Sequence, residues 1–142
     1  MNSLQYVSEL KNELINILQF WMKNTIDEVN GGFIGKINHN GIRDGNAPKG
    51  SVLNARILWA FSAAYNASKN ECYLQTAKRA FEYIQKYFID DEYGGVTWTV
   101  DHKGSPLDTK KQIYAQAFAI YGCSEYYKAT NAADAKNIAI EL

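Results

Sequence analysis

Apolar residues recur at three- and four-residue steps, or sums of them, across the first two dozen positions. Leu4, Val7, Leu14, Leu18 and Trp21 share one helical face, and Lys11, Glu13 and Gln19 lie off it. A second stripe of the same period is formed by Tyr73, Ala77, Phe81, Ile84 and Phe88, with Lys78, Glu82 and Lys86 elsewhere on the surface. Each pattern predicts an amphipathic helix with one buried face. Two other stretches, SVLNARILWAFSAAY from Ser51 and QIYAQAFAIYGCSEYY from Gln112, are apolar nearly all the way round, which predicts helices buried on several sides.

The two kinds of helix alternate because the chain repeats itself. DEVNGGFIGKINHNG (Asp27 to Gly41) answers DDEYGGVTWTVDHKG (Asp90 to Gly104), and SAAYNAS (Ser62 to Ser68) answers SEYYKAT (Ser124 to Thr130). Between the helices of each unit, a Gly-Gly turn, the β-rich stretches FIGKIN and VTWTVD, and the polar tips HNG and HKG predict a short hairpin excursion. The first unit runs over about 1–67, the second over about 68–130, and a third begins at 131–142. Amphipathic outer helices covering apolar inner ones describe an all-α fold, part of an α/α barrel. Four helices do not close such a ring. The helical pattern of residues 135–142 breaks off without a glycine or proline stop, so the expectation is a longer natural protein or an assembly of several copies.

Composition narrows the partners. Fifteen basic and fifteen acidic residues cancel, which argues against nucleic acid or an anionic membrane and in favour of an uncharged ligand. Aromatic residues reach 13%, ten of them tyrosines, a supply suited to stacking on the apolar faces of a ligand while also offering polar donors. The N-terminal stretch has neither a basic lead-in nor a long apolar run, so no secretory signal or membrane span is expected and the cytoplasm is the expected compartment. Cys72 and Cys123 form no C-x-x-C pair and read as reduced, packed thiols, with no cofactor and no metal implied.

Four motifs carry a specific resemblance: DEYGGVTW, DHKGSPLDTKK, YAQAFAIY, and ARILW within VLNARILWAFSAAY. Together, in order and with natural spacing through essentially the whole chain, they resemble the N-acylglucosamine 2-epimerase family, closest to its cellobiose 2-epimerase branch. The resemblance implies an (α/α)6 barrel of which this chain is about a third. It implies a mono- or disaccharide substrate, epimerised at C2 of the reducing-end aldose through an enediolate. It also implies that the acid and base are two histidines of later inner helices, so that no catalytic residue lies in this chain.

Arg56 lies inside an apolar run, where an unpaired guanidinium would cost several kcal/mol, so a partner is expected. That partner is either a carboxylate in a buried salt bridge or, as the resemblance implies, the substrate. Tyr114 opens the second inner helix, and the resemblance makes it a hydrogen-bonding contact to the sugar. Asn54, where the family often carries a different polar residue, is a third candidate. Trp59 and Trp98 are both candidates to stack on the C–H face of a sugar; Trp59, which shares a face with Arg56, reads as core, and Trp98 stays open between core and sugar contact.

His39 and His102 stand at equivalent places in adjacent repeats, too far apart to share an ion, and read as turn residues. The clusters Asp27-Glu28 and Asp90-Asp91-Glu92 could pair carboxylates for glycoside hydrolysis, but their recurrence fits a shared turn in which they accept backbone N–H bonds. Lys110-Lys111 reads as a solvated helix start. The alternatives to the epimerase are therefore an N-acylglucosamine 2-epimerase or aldose–ketose isomerase of the same family, an α/α-barrel glycoside hydrolase, or a helical-repeat interaction module. Whatever the activity, the exposed inner-helix surface predicts packing against the remainder of a barrel or self-association.

Overall fold

The computed structural model describes residues 3–142, and the element order follows the repeat. Helix α1 (Ser3–Asn24) leads through β1 (Lys36–Ile37), β2 (Arg43–Asp44) and β3 (Lys49–Gly50) into α2 (Ser51–Ser68). Helix α3 (Glu71–Tyr87) then leads through β4 (Thr99–Val100) and β5 (Pro106–Asp108) into α4 (Ile113–Thr130), and α5 (Ala133–Glu141) follows. The apolar helices α2 and α4 pack side by side, with α3 laid along α2 and α5 along α4. Neither α2 nor α4 ends on glycine: Lys69 and Asn131 adopt left-handed conformations (φ 56° and 57°), and their N–H groups bond the carbonyls of Tyr65 and Tyr127.

The core lies where α2, α3 and α4 meet. Ile57, Leu58 and Phe61 of α2 are buried with all five residues of the second stripe, Tyr73, Ala77, Phe81, Ile84 and Phe88. Gly122 sets the spacing of the inner pair, because a Cβ there would lie 2.7 Å from the carbonyl oxygen of Ala55. The strands tie one unit to the next. β1 pairs with β2 inside the first unit, whereas β3 of the first unit pairs antiparallel with β4 of the second, which in turn pairs with β5. Ser51 fixes the same junction, its N–H and hydroxyl both donating to the Trp98 carbonyl.

Two expectations from the pattern need correction. On the α1 stripe, Leu18 is buried and Trp21 half-buried, while Leu4 is 76% exposed and Val7 and Leu14 are also open. Cys123 is buried, which pushes its thiol pKa up to about 12, but Cys72 is exposed on the first turn of α3 and is not a packed thiol. No helix among the described residues is long and apolar enough to cross a membrane.

Candidate functional site

The lumen-side face of the inner helices

On a helix, residues three, four and seven apart share a face, whereas residues two apart point nearly opposite ways. Arg56, Trp59 and Val52 therefore look out from one side of α2, and Tyr114, Phe118 and Tyr121 from the matching side of α4. Each of these α4 residues stands 62 positions after its α2 counterpart. The counterparts meet across the α2–α4 seam. The Arg56 guanidinium carbon lies 5.8 Å from the centre of the Phe118 ring, and the Tyr114 ring meets Phe118 edge-on at 4.8 Å. Phe118 thus brings Arg56 and Tyr114 to one place. It was not among the expected residues, although its offset from Arg56 marks it.

Arg56 is exposed, contrary to the burial implied by its apolar neighbours, and it makes no ion pair among the described residues. It avoids the desolvation penalty because its side of α2 is uncovered. It borders a 430 Å³ groove between α1 and α2, walled mainly by Leu18, Trp21, Leu53, Ile57 and Phe61. Tyr114 is also exposed. The face therefore offers one fixed cation, one phenol and several aromatic rings, with no carboxylate against the guanidinium.

Asn54 does not join them. Two residues before Arg56, it is fully buried on the opposite side of α2, where its amide donates to the Gly50 carbonyl at 2.9 Å and its Oδ1 finds no hydrogen-bond partner. Its counterpart Gln116 is one methylene longer and grips the second unit: Oε1 accepts from the Val96 N–H and Nε2 donates to the Val96 carbonyl, both at 2.7 Å.

The lysine clamps below the face

Each Gly-Gly corner is held by an aspartate and a lysine. Asp27 accepts the N–H groups of Val29 and Asn30, and Asp90 those of Glu92 and Tyr93, as the recurrence of these acids implied. The lysines had not been expected. Lys49 Nζ lies 2.8 Å from Asp27 Oδ2 and donates to the Gly31 carbonyl at 2.7 Å, with the Tyr83 ring 4.9 Å away. Lys111 repeats the arrangement with Asp90 at 2.7 Å and the Gly94 carbonyl, so it is no solvated helix start.

Burial opposes ionisation of Asp27, but the hydrogen bonds from Lys49 and Asn30 and the Lys49 charge outweigh it and hold the pKa at about 2. Asp90 is held low mainly by its hydrogen bonds from Lys111 and the Tyr93 N–H. Both acids are committed to structure, which removes them as a hydrolytic pair. His39 and His102 sit on the two hairpin tips, and no group of three or more His, Cys, Asp or Glu side chains that could hold a metal occurs among the described residues. Trp98 is half-buried, with Lys110 Nζ 5.3 Å above its ring.

Family membership

Paired inner and outer helices, with strand pairing from unit to unit, define a protein of the α/α-barrel class. Residues 32–141 match the N-acylglucosamine 2-epimerase (GlcNAc 2-epimerase) family, and the chain belongs to that family. It is 47% identical over 135 residues to the cellobiose 2-epimerase of Bacteroides fragilis, an alignment covering 94% of this chain and 34% of that protein. To the cellobiose 2-epimerase of Dictyoglomus turgidum it is 43% identical over 136 residues, covering 95% and 35%. The crystal structure of a sugar epimerase from a ruminal bacterium matches with a TM-score of 0.93 and 43% identity, over 96% of this chain and 35% of that one. The fold is accordingly part of an (α/α)6 barrel, and the chain spans about a third of the length of the curated relatives it matches.

Proposed function

We propose that this chain forms one wall of the site of a sugar 2-epimerase, acting on the reducing-end aldose of a β-1,4-disaccharide such as cellobiose. The reducing-end ring opens to its C1 aldehyde, a base removes the C2 proton, the electron pair delocalises onto the carbonyl oxygen as an enediolate, and an acid returns a proton to the opposite face of C2 before the ring closes again. The acid and base are histidines outside these 142 residues. Arg56 provides a fixed cation for the charge that develops on the enediolate oxygen, and Tyr114 provides a hydrogen bond to the sugar. The observation that carries this reading is the approach of Arg56 and Tyr114 to the same ring, Phe118, with the guanidinium free of any carboxylate among the described residues. In a protein of the relatives' length that carries this chain, cellobiose should yield the C2 epimer with its glycosidic bond intact. Arg56→Ala should lower kcat/KM by about a hundredfold or more. Release of monosaccharide instead would make the protein a hydrolase, and an unchanged kcat/KM in the variant would remove Arg56 from the mechanism.

The apolar groove at α1 and the open side of α4 are, on this reading, the surfaces that receive the remaining helix pairs. In their absence they drive self-association, since Leu10, Leu14 and Ile113 are all exposed. Sedimentation of the 142-residue chain alone should reveal oligomers that grow with concentration. A monomer at every concentration would count against this assignment.

A further inference from the structure

One turn further along the inner helices than Arg56, Trp59 and Tyr121 form a stacked pair across the α2–α4 seam, ring centres 4.9 Å apart and planes inclined by 13°. They are repeat counterparts, 62 positions apart, and each lies on the same helical face as its site neighbour: Trp59 three residues after Arg56, Tyr121 seven after Tyr114. Trp59 had been read as core. It is only partly buried, and Tyr121 remains 51% exposed. Stacked face to face, each ring covers one face of the other, and the more exposed Tyr121 ring gives the pair its open aromatic surface, about 4.5 Å along the axis from the level of Arg56.

Such a surface has a chemical preference. A pyranose presents C–H groups on one face and hydroxyls at its rim, so it lays its apolar face on an aromatic plate while its hydroxyls meet polar groups around the edge. Arg56 lies within one turn of Trp59 on the same face of α2, and Tyr114 two turns from Tyr121 on the same face of α4. We propose that the Tyr121 ring, braced from behind by Trp59, is a floor of the sugar site, a specificity-determining surface on which a pyranose that stays closed during the reaction, the non-reducing ring of a disaccharide, rests. This rests on the epimerase reading and adds to it a binding surface that neither the helical pattern nor the motifs assigned. Stacking involves the ring that stays closed during proton transfer, so it acts equally on bound substrate and transition state and should appear in KM rather than kcat.

The test uses the protein of the relatives' length. Tyr121→Ala and Trp59→Ala should each raise KM for cellobiose about tenfold while changing kcat less than threefold, and Tyr121→Phe should recover most of the affinity lost in Tyr121→Ala. A purely structural role would instead lower the folded fraction, and with it apparent kcat, without moving KM. Tryptophan fluorescence gives a readout independent of turnover: cellobiose should change the emission of the parent protein, and Trp59→Phe should lose most of that change. KM within twofold of the parent in both alanine variants, with the parent active as an epimerase, overturns the floor and leaves the epimerase reading standing. A parent that binds cellobiose through Trp59 but does not epimerise it sinks the epimerase reading and keeps the floor. A parent that neither binds nor epimerises the sugar removes both.

Discussion

The two Gly-Gly corners use the same bonds in different surroundings. In each, an aspartate collects two backbone N–H groups and a lysine bridges its carboxylate to a glycine carbonyl. Yet the Lys49 and Asp27 side chains are 1% and 4% exposed, against 31% and 19% for Lys111 and Asp90. The cover comes from the following unit. Helix α3 sets the Tyr83 ring beside Lys49 and sends Arg79 to the carbonyls of Asp27 and Gly32. The position that answers Tyr83 one unit later falls past residue 142. In the 142-residue chain taken alone, a corner is thus specified by its own sequence but dried by its neighbour, and there the same ion pair has a different energetic weight in the two places.

The sharpest way to break that comparison is to remove each carboxylate in turn. Asp27→Ala leaves a buried lysine without its counter-ion, and an uncompensated charge of that kind costs about 3–5 kcal/mol. Asp90→Ala opens a pair that water already reaches, so its urea midpoint should move far less. Equal losses would mean that burial by α3 does not control the strength of the clamp.

Acid sharpens the same contrast. Asp27 has its pKa lowered from 3.8 to about 2, so its contribution to stability is complete above about pH 4 and is lost as pH falls through 2. The shift corresponds to about 2 kcal/mol. Unfolding free energies measured between pH 5 and 2 should fall in the parent by about that much more than in Asp27→Asn, which has no proton to take up there. Parallel curves for the two proteins would exclude Asp27 as the acid-sensitive group.

The sequence made the helix pairs legible because each inner helix is apolar over whole turns, and it made the aspartate turns legible because the acids recur beside Gly-Gly. The lysine clamps were hidden by distance: Lys49 lies 22 residues from Asp27, and nothing local distinguishes it from a surface lysine until the chain folds back. Its recurrence 62 positions later, as Lys111, was the available signal. On α1 the stripe was read correctly as apolar but wrongly as covered, since period reports a face and not what lies against it. Asn54 failed for a simpler reason. Its two-residue separation from Arg56 already places the two on opposite sides of a helix, so proximity in sequence worked against proximity in space.

That placement supplies the smallest and most local test of how the corners differ. Gln116 holds Val96 by both ends of its side-chain amide, whereas the amide of Asn54, one methylene shorter, reaches only the Gly50 carbonyl four residues back. Gln116→Asn should therefore release the Val96 backbone and cost about 1 kcal/mol, the order expected when half-buried hydrogen bonds are exchanged for bonds to water. The loss should be accompanied by faster amide exchange at Val96, because that N–H has Gln116 Oε1 as its acceptor. Exchange at Thr97 should change less, since its N–H bonds the Phe88 carbonyl and does not depend on the glutamine. If Val96 exchanges at the parental rate in Gln116→Asn, the amide grip does not hold the second corner, and the difference between the two units lies in their cover by a neighbouring helix alone.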